Sequence, residues 1–99
     1  MSATPPDILT EAKSLVYGDR HAAYGPPVDD FTTQAAMFSA YLSRTNGRTV
    51  TVRAEDIGPL MILVKVARQA HRPKRDNMVD AAGYAACTQD VIDSLNPAP

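Results

Sequence analysis

Cysteine is nearly absent from this chain: one residue, Cys87, stands among 99. A single thiol excludes a disulfide framework and a cysteine-based zinc site, and it suits a reducing compartment. Charge of either sign is not in excess, since ten Lys and Arg against eleven Asp and Glu leave a formal net charge of −1. That argues against a strongly basic nucleic-acid binder, so no long nucleic acid is expected as a partner, while a local basic patch is compatible. No apolar run approaches the ~20 residues that cross a bilayer, so no membrane partner is expected. Residues 1–7 offer neither a basic n-region nor an apolar h-region, which predicts no signal peptide and a cytoplasmic location. There is no Walker motif, no G-x-G-x-x-G, no readable Ser-His-Asp arrangement and no internal repeat.

What is present is an ordinary globular composition, 44% hydrophobic, which excludes disorder and leaves room for one domain. Residues 1–6 and 96–99 read as tails, rich in Pro, Ser and Ala, around a single domain over 7–95. Four helical segments are expected within it. The first spans residues 7–16, capped by Thr4 or Asp7, with Pro5 and Pro6 near its first turn and Gly18 ending it. Residues 17–27, YGDRHAAYGPP, read as a decorated loop of the kind that carries function. The second helix spans 28–43 and is closed by the Asn46-Gly47 turn signal. Its Phe31, Met37, Phe38 and Tyr41 give it an apolar character that predicts a dimer or higher oligomer. Residues 49–52, TVTV, are too short to found a sheet and read as an extended connector.

The third helix spans 54–71, with Thr51 as one candidate cap, Gly58-Pro59 near its start, and a run LMILVKVA that reads as buried over much of its circumference. The fourth spans 76–95, with Asp76 as its N-cap. Without a second strand, the fold class is all-α, a small bundle of about four helices with a functional loop between the first two.

Helical spacing puts Met61, Lys65, Arg68 and Arg72 in one arc of the third helix. Two cations beside a buried stripe either snorkel or meet an anion. On the fourth helix, Asp76, Asp80, Gly83, Tyr84, Cys87 and Val91 share one face. Its C-terminal part is apolar or small, so the face is expected to point inward and to carry both aspartates with it. Two carboxylates at i, i+4 can hold a divalent cation or accept from guanidinium groups. Asp80 then pairs either with magnesium or with Arg68 or Lys65. The loop adds Arg20, His21 and Tyr24. His21 and His71 lack carboxylates at metal spacing, and Cys87 reads as a core residue.

The order GDRHAAYGPP, DDF, EDIGPLMILVKVARQAH and RDNMVDAAGYAA resembles a small domain family of unknown function encoded by actinobacteriophages and related prophages. More distantly it resembles the MazG-like all-α nucleotide pyrophosphohydrolases, in which carboxylates on two helices hold magnesium and basic residues grip phosphate. That resemblance implies a host bacterial cytoplasm, a small nucleotide as partner, magnesium at Asp76 and Asp80, and phosphate contacts from Lys65 and Arg68. With the loop residues, the ligand-binding set is Arg20, Tyr24, Lys65, Arg68 and Tyr84, the two tyrosines offering stacking surfaces. No catalytic residue is assigned. Where those enzymes carry a first pair of Glu, the second helix here has Asp29, Asp30 and Gln34. Two functions compete: a magnesium-dependent hydrolase, or a non-catalytic protein that sequesters a signalling nucleotide against host defence. A third reading is an interaction protein whose Lys–Asp pairs only fix helix packing.

Overall fold

Four helical rods make up the fold, and no strand occurs among the described residues. A computed structural model describes residues 7–97. Thr4, Pro5, Pro6 and the ends of both expected tails lie outside the described residues.

The first rod begins where Asp7 accepts the Thr10 amide at 2.7 Å and the Thr10 hydroxyl at 3.0 Å. This capping satisfies one of the orphan donors of a helix start. It also holds the Asp7 carboxyl below its ordinary range, chiefly through the Thr10 backbone hydrogen bond. Helix α1 (Ile8–Ser14) runs without a break into a π-helical turn (Leu15–Arg20) and then into α2 (His21–Tyr24). The expected loop over residues 17–27 is therefore helical as far as Tyr24, and Gly18 does not end the helix. A glycine inside a helix costs only about 1 kcal/mol, whereas a π turn absorbs an extra residue and keeps the backbone paired. The break falls at Gly25, whose φ of 75° suits a residue without Cβ.

The second rod, α3 (Pro27–Asn46), starts with Pro27 at a first-turn position that needs no amide donor. It runs past the expected end at residue 43 and stops at Gly47, left-handed with φ 63°. The connector after it is extended, as its β-branched residues suggest, and two serines of α3 hold it. Ser39 Oγ accepts from Val52 N at 2.8 Å and donates to Val52 O at 3.2 Å. Ser43 Oγ does the same for Val50, at 2.8 and 3.1 Å. One helical turn between the serines, ~6 Å, matches two residues of extended chain, ~6.6 Å.

Helix α4 (Ala54–His71) is capped by Arg53, not Thr51. The Asp56 carboxylate accepts from the Arg53 amide at 2.8 Å and from its guanidinium at 2.9 Å. Pro59 sits beyond the first turn and so removes the donor that Glu55 C=O would take; Pro59 itself is exposed. Helix α5 (Arg75–Leu95) has Lys74 as N-cap, with Asp76 inside the first turn.

Helix α5 is the central element and packs against α1, α3 and α4. The core gathers Val16, Phe31, Ala35, Ile57, Cys87 and Val91. Phe31 thus serves the core, while Met37, Phe38 and Tyr41 of the same helix stay exposed. Gly58 lets α4 approach α5: a Cβ there would collide with Thr88 Oγ1 and lie 3.0 Å from Tyr84 O. Long-range links tie the first rod to α5, among them Arg75 to Glu11 at 2.8 Å and Tyr17 Oη to Asp90 at 2.7 Å. Helix α4 is not buried over much of its circumference. Only Ile57 and Gly58 are buried, and Leu60, Leu63 and Val66 are 45%, 63% and 52% exposed. Among the described residues, no element covers its far side.

Candidate functional site

A short turn over residues 72–74 folds α5 back along α4. Gln69 fixes it: its Oε1 accepts from Lys74 N and from Asn77 Nδ2, both at 3.0 Å. Asn77 is buried and satisfied by this contact. With the hairpin set, Lys65 faces α5 and reaches Asp80, Nζ to Oδ2, at 2.8 Å. Both side chains are largely sequestered, 13% and 18% exposed. The other oxygen of Asp80 lies 4.0 Å from the Arg20 guanidinium, which the π turn presents. Arg20 in turn sits over the Tyr84 ring, 5.4 Å from its centroid, within cation–π range. Its contact with Tyr84 is also the main reason its pKa lies above the ordinary value. Lys65, Asp80, Arg20 and Tyr84 thus form one chain across three rods.

Of the two cations expected as alternatives for Asp80, one meets it. Lys65 pairs with it; Arg68 does not. Arg68 is exposed, with no ion pair among the described residues. Asp76 does not follow Asp80 inward. It is exposed, whereas Asn77 beside it is the residue of that turn which is buried.

The proposed ligand residues fall into two hollows. The larger, about 830 Å³, lies along the α4–α5 hairpin and takes in Lys65, Arg68, His71, Arg72, Lys74, Asp76 and Asp80. A second, about 460 Å³, lies between the first rod, α3 and Tyr84, and takes in Arg20, Tyr24, Asp30, Gln34 and Tyr84. A third, about 550 Å³, shares Arg20 with the second and both Asp76 and Asp80 with the first. Arg20 and Asp80 therefore stand at the joint. Sequence reasoning did not place Lys74 and His71 at the site, nor single out Gln69, and it gave Asn77 no role beyond its place in the motif beside Asp76. Asn77 carried a usable signal, a polar residue at an inward helical position.

Metal-ligating groups are sparse. Among the described residues, no three His, Cys, Asp or Glu side chains come together. Asp30 lines the second hollow and donates nothing to the first; it accepts from Gln34 Nε2 at 3.0 Å. Cys87 is buried, and burial pushes its thiol pKa up, which agrees with a core role and not a nucleophilic one.

Residues 7–92 match a protein family described as Domain of unknown function (DUF6378). The chain belongs to this family. Among curated proteins it is similar to the Gene 55 protein of Mycobacterium phage D29, 37% identical over 87 residues, covering 87% of this chain and 54% of that protein. It is also similar to the Gene 55 protein of Mycobacterium phage L5, 35% identical over 79 residues, covering 79% of this chain and 47% of that one. The chain thus spans about half the length of the curated relatives it matches. No solved structure is significantly similar. A DUF6378 domain with mycobacteriophage relatives agrees with the phage-encoded family that the motifs suggested.

Proposed function

We propose that this DUF6378 protein binds a small phosphorylated ligand, a nucleotide, with its phosphates in the hollow along the α4–α5 hairpin. The observation that carries this reading is the charge of that hollow. Lys65, Arg68, Arg72 and Lys74 line it against Asp76 and Asp80, an excess of cation on a chain whose net charge is −1. Asp80 is already met by Lys65 and Arg20, so Arg68, Arg72 and Lys74 are left to attract phosphate oxygens. Arg20, Tyr24 and Tyr84 supply a cation and two aromatic rings in the adjoining hollow, where a base stacks. Four cations gathered in one hollow suit a small ligand better than a long nucleic acid. Among the described residues, no helix is long and apolar enough to cross a membrane.

The MazG-like reading adds magnesium and hydrolysis. The donor set does not fit that metal: Asp76 is exposed, Asp80 is engaged by cations, Glu11 in the third hollow with them is paired with Arg75, and among the described residues no three such groups come together to hold an ion. No hydrolytic step rests on these residues. Binding without turnover, the sequestering anti-defence role, is the better supported of the two.

The test is calorimetry with a panel of nucleoside triphosphates and cyclic nucleotides, with and without magnesium, followed by chromatography of the ligand. A bound ligand recovered unaltered, with affinity indifferent to magnesium, is the expected result. Released pyrophosphate would make the protein a hydrolase, and no binding across the panel would remove the reading.

A further inference from the structure

We propose that two copies of this chain pair through α4, antiparallel about a two-fold axis, on the face that points away from the core. Leu60, Leu63, Val64 and Ala67 follow the i, i+3, i+4, i+7 spacing of one helical stripe. Met61 and Lys65 turn toward the bundle, and the stripe lies to the side of them, Leu60 and Leu63 outward and Val64 and Ala67 at the rim of the hairpin hollow. Leu60 is 45% exposed, Leu63 63% and Val64 38%. A contiguous apolar row of this kind on a small chain marks an interaction surface.

The ends of the same helix identify the occupant. Its first turn carries Glu55 and Asp56, with Arg53 beside them; its last turn carries Arg68 and His71, followed by Arg72. The N-terminal end therefore holds a net negative charge, the C-terminal end a positive one. An antiparallel second copy of α4 sets each acidic end against a basic end and opposes the two helix dipoles. A parallel pair would set like against like. The stripe is self-complementary in one register. With the axis between Leu63 and Val64, each Leu60 meets Ala67 of the partner subunit, and each Asp56 lies beside His71 of the partner subunit. Such an isologous contact closes on itself as a dimer. It requires no ligand, although Val64 and Ala67 also border the hairpin hollow; the oligomeric state is therefore read on the chain without nucleotide.

Sedimentation equilibrium on the full chain tests it. The wild-type chain is expected at twice its 10.7 kDa mass, and Leu63→Glu at the monomer mass with an unchanged helical circular dichroism spectrum. Cross-linking tests the direction. Leu63→Cys, near the axis, is expected to form a disulfide between copies under mild oxidation, because the native Cys87 is buried and does not compete. Leu60→Cys is not, since antiparallel packing separates the two thiols by ~10 Å along the axis. A monomeric wild-type chain would overturn the proposal. So would a dimer indifferent to Leu63→Glu, or equal cross-linking at both positions.

Discussion

Asp80 is reached from two sides, by Lys65 at 2.8 Å and by Arg20 at 4.0 Å. With 18% of its side chain in water, its charge depends on those cations for compensation. Asp80→Asn keeps the shape and removes the charge, leaving Lys65 poorly paired. A loss of about 2–3 kcal/mol is expected, somewhat below that of a fully buried pair. Thermal melts should show it equally with magnesium and with chelator; an unchanged melt would reduce the pair to a surface contact. Two other residues set pH limits. The hydrogen bond to Asp90 pushes the Tyr17 phenol up. Its stabilisation is complete below the unfolded value of ~10 and disappears as pH rises through the higher folded value. Ultraviolet titration of the wild type against Tyr17→Phe should isolate that late ionisation. Asp56 behaves oppositely: the hydrogen bond from the Arg53 side chain holds its carboxyl down. Its contribution is present above ~3.9 and is lost as pH falls through the lower folded value. Asp56→Asn should therefore flatten the acid limb of a Tm-against-pH curve.

Between elements, two contacts govern how the rods sit. Ser39 holds both polar groups of Val52, so Ser39→Ala leaves a part-buried amide and carbonyl short of partners. About 1–2 kcal/mol of destabilisation is expected in urea unfolding, with Ser39→Thr preserving much of the contact. Gly58 is where α4 meets α5. Gly58→Ala gains about 1 kcal/mol of helix propensity but drives Cβ into the stiff Thr88 side chain. A net loss of about 1–2 kcal/mol is expected. Adding Thr88→Ala should recover part of it, and a double-mutant cycle with no coupling would refute the contact. The rods were legible as elements because apolar residues recur at helical spacing. The π turn was not, because Gly18 and the polar residues after it give the same local signal whether the ladder widens or stops.

At the scale of the molecule, stability and ligand binding separate by residue. Lys65 compensates Asp80, whereas Arg68 faces water in the same hollow. Lys65→Ala should lower the melting temperature, while Arg68→Ala should leave it unchanged. Arg68→Ala should weaken a phosphorylated ligand by about 1.5–3 kcal/mol. Calorimetry and melts on the two variants measure both halves; Arg68→Ala with undiminished affinity would remove that residue from the site. Family membership covers residues 7–92, so both hollows and the hairpin belong to the shared domain.

By itself the sequence determined the all-α class, the four rods, the extended connector and the inward face of α5 at Gly83, Cys87 and Val91, all read from periodicity and turn residues. It also brought Lys65 and Asp80 to adjacent helices, since a short turn leaves the two little choice but to lie side by side. Tertiary structure decided the rest. Arg20 meets Asp80, and Tyr17 meets Asp90, across some 60 to 73 residues of chain, and no local pattern encodes such a distance. Asp76 and Asp80 share a helical face, yet only Asp80 lies beneath a neighbouring rod. The run LMILVKVA is apolar on nearly every side, so its composition cannot say which side meets the core. That depends on Gly58, where the missing Cβ lets α5 come close, and it leaves the Leu60, Leu63 and Ala67 row turned outward.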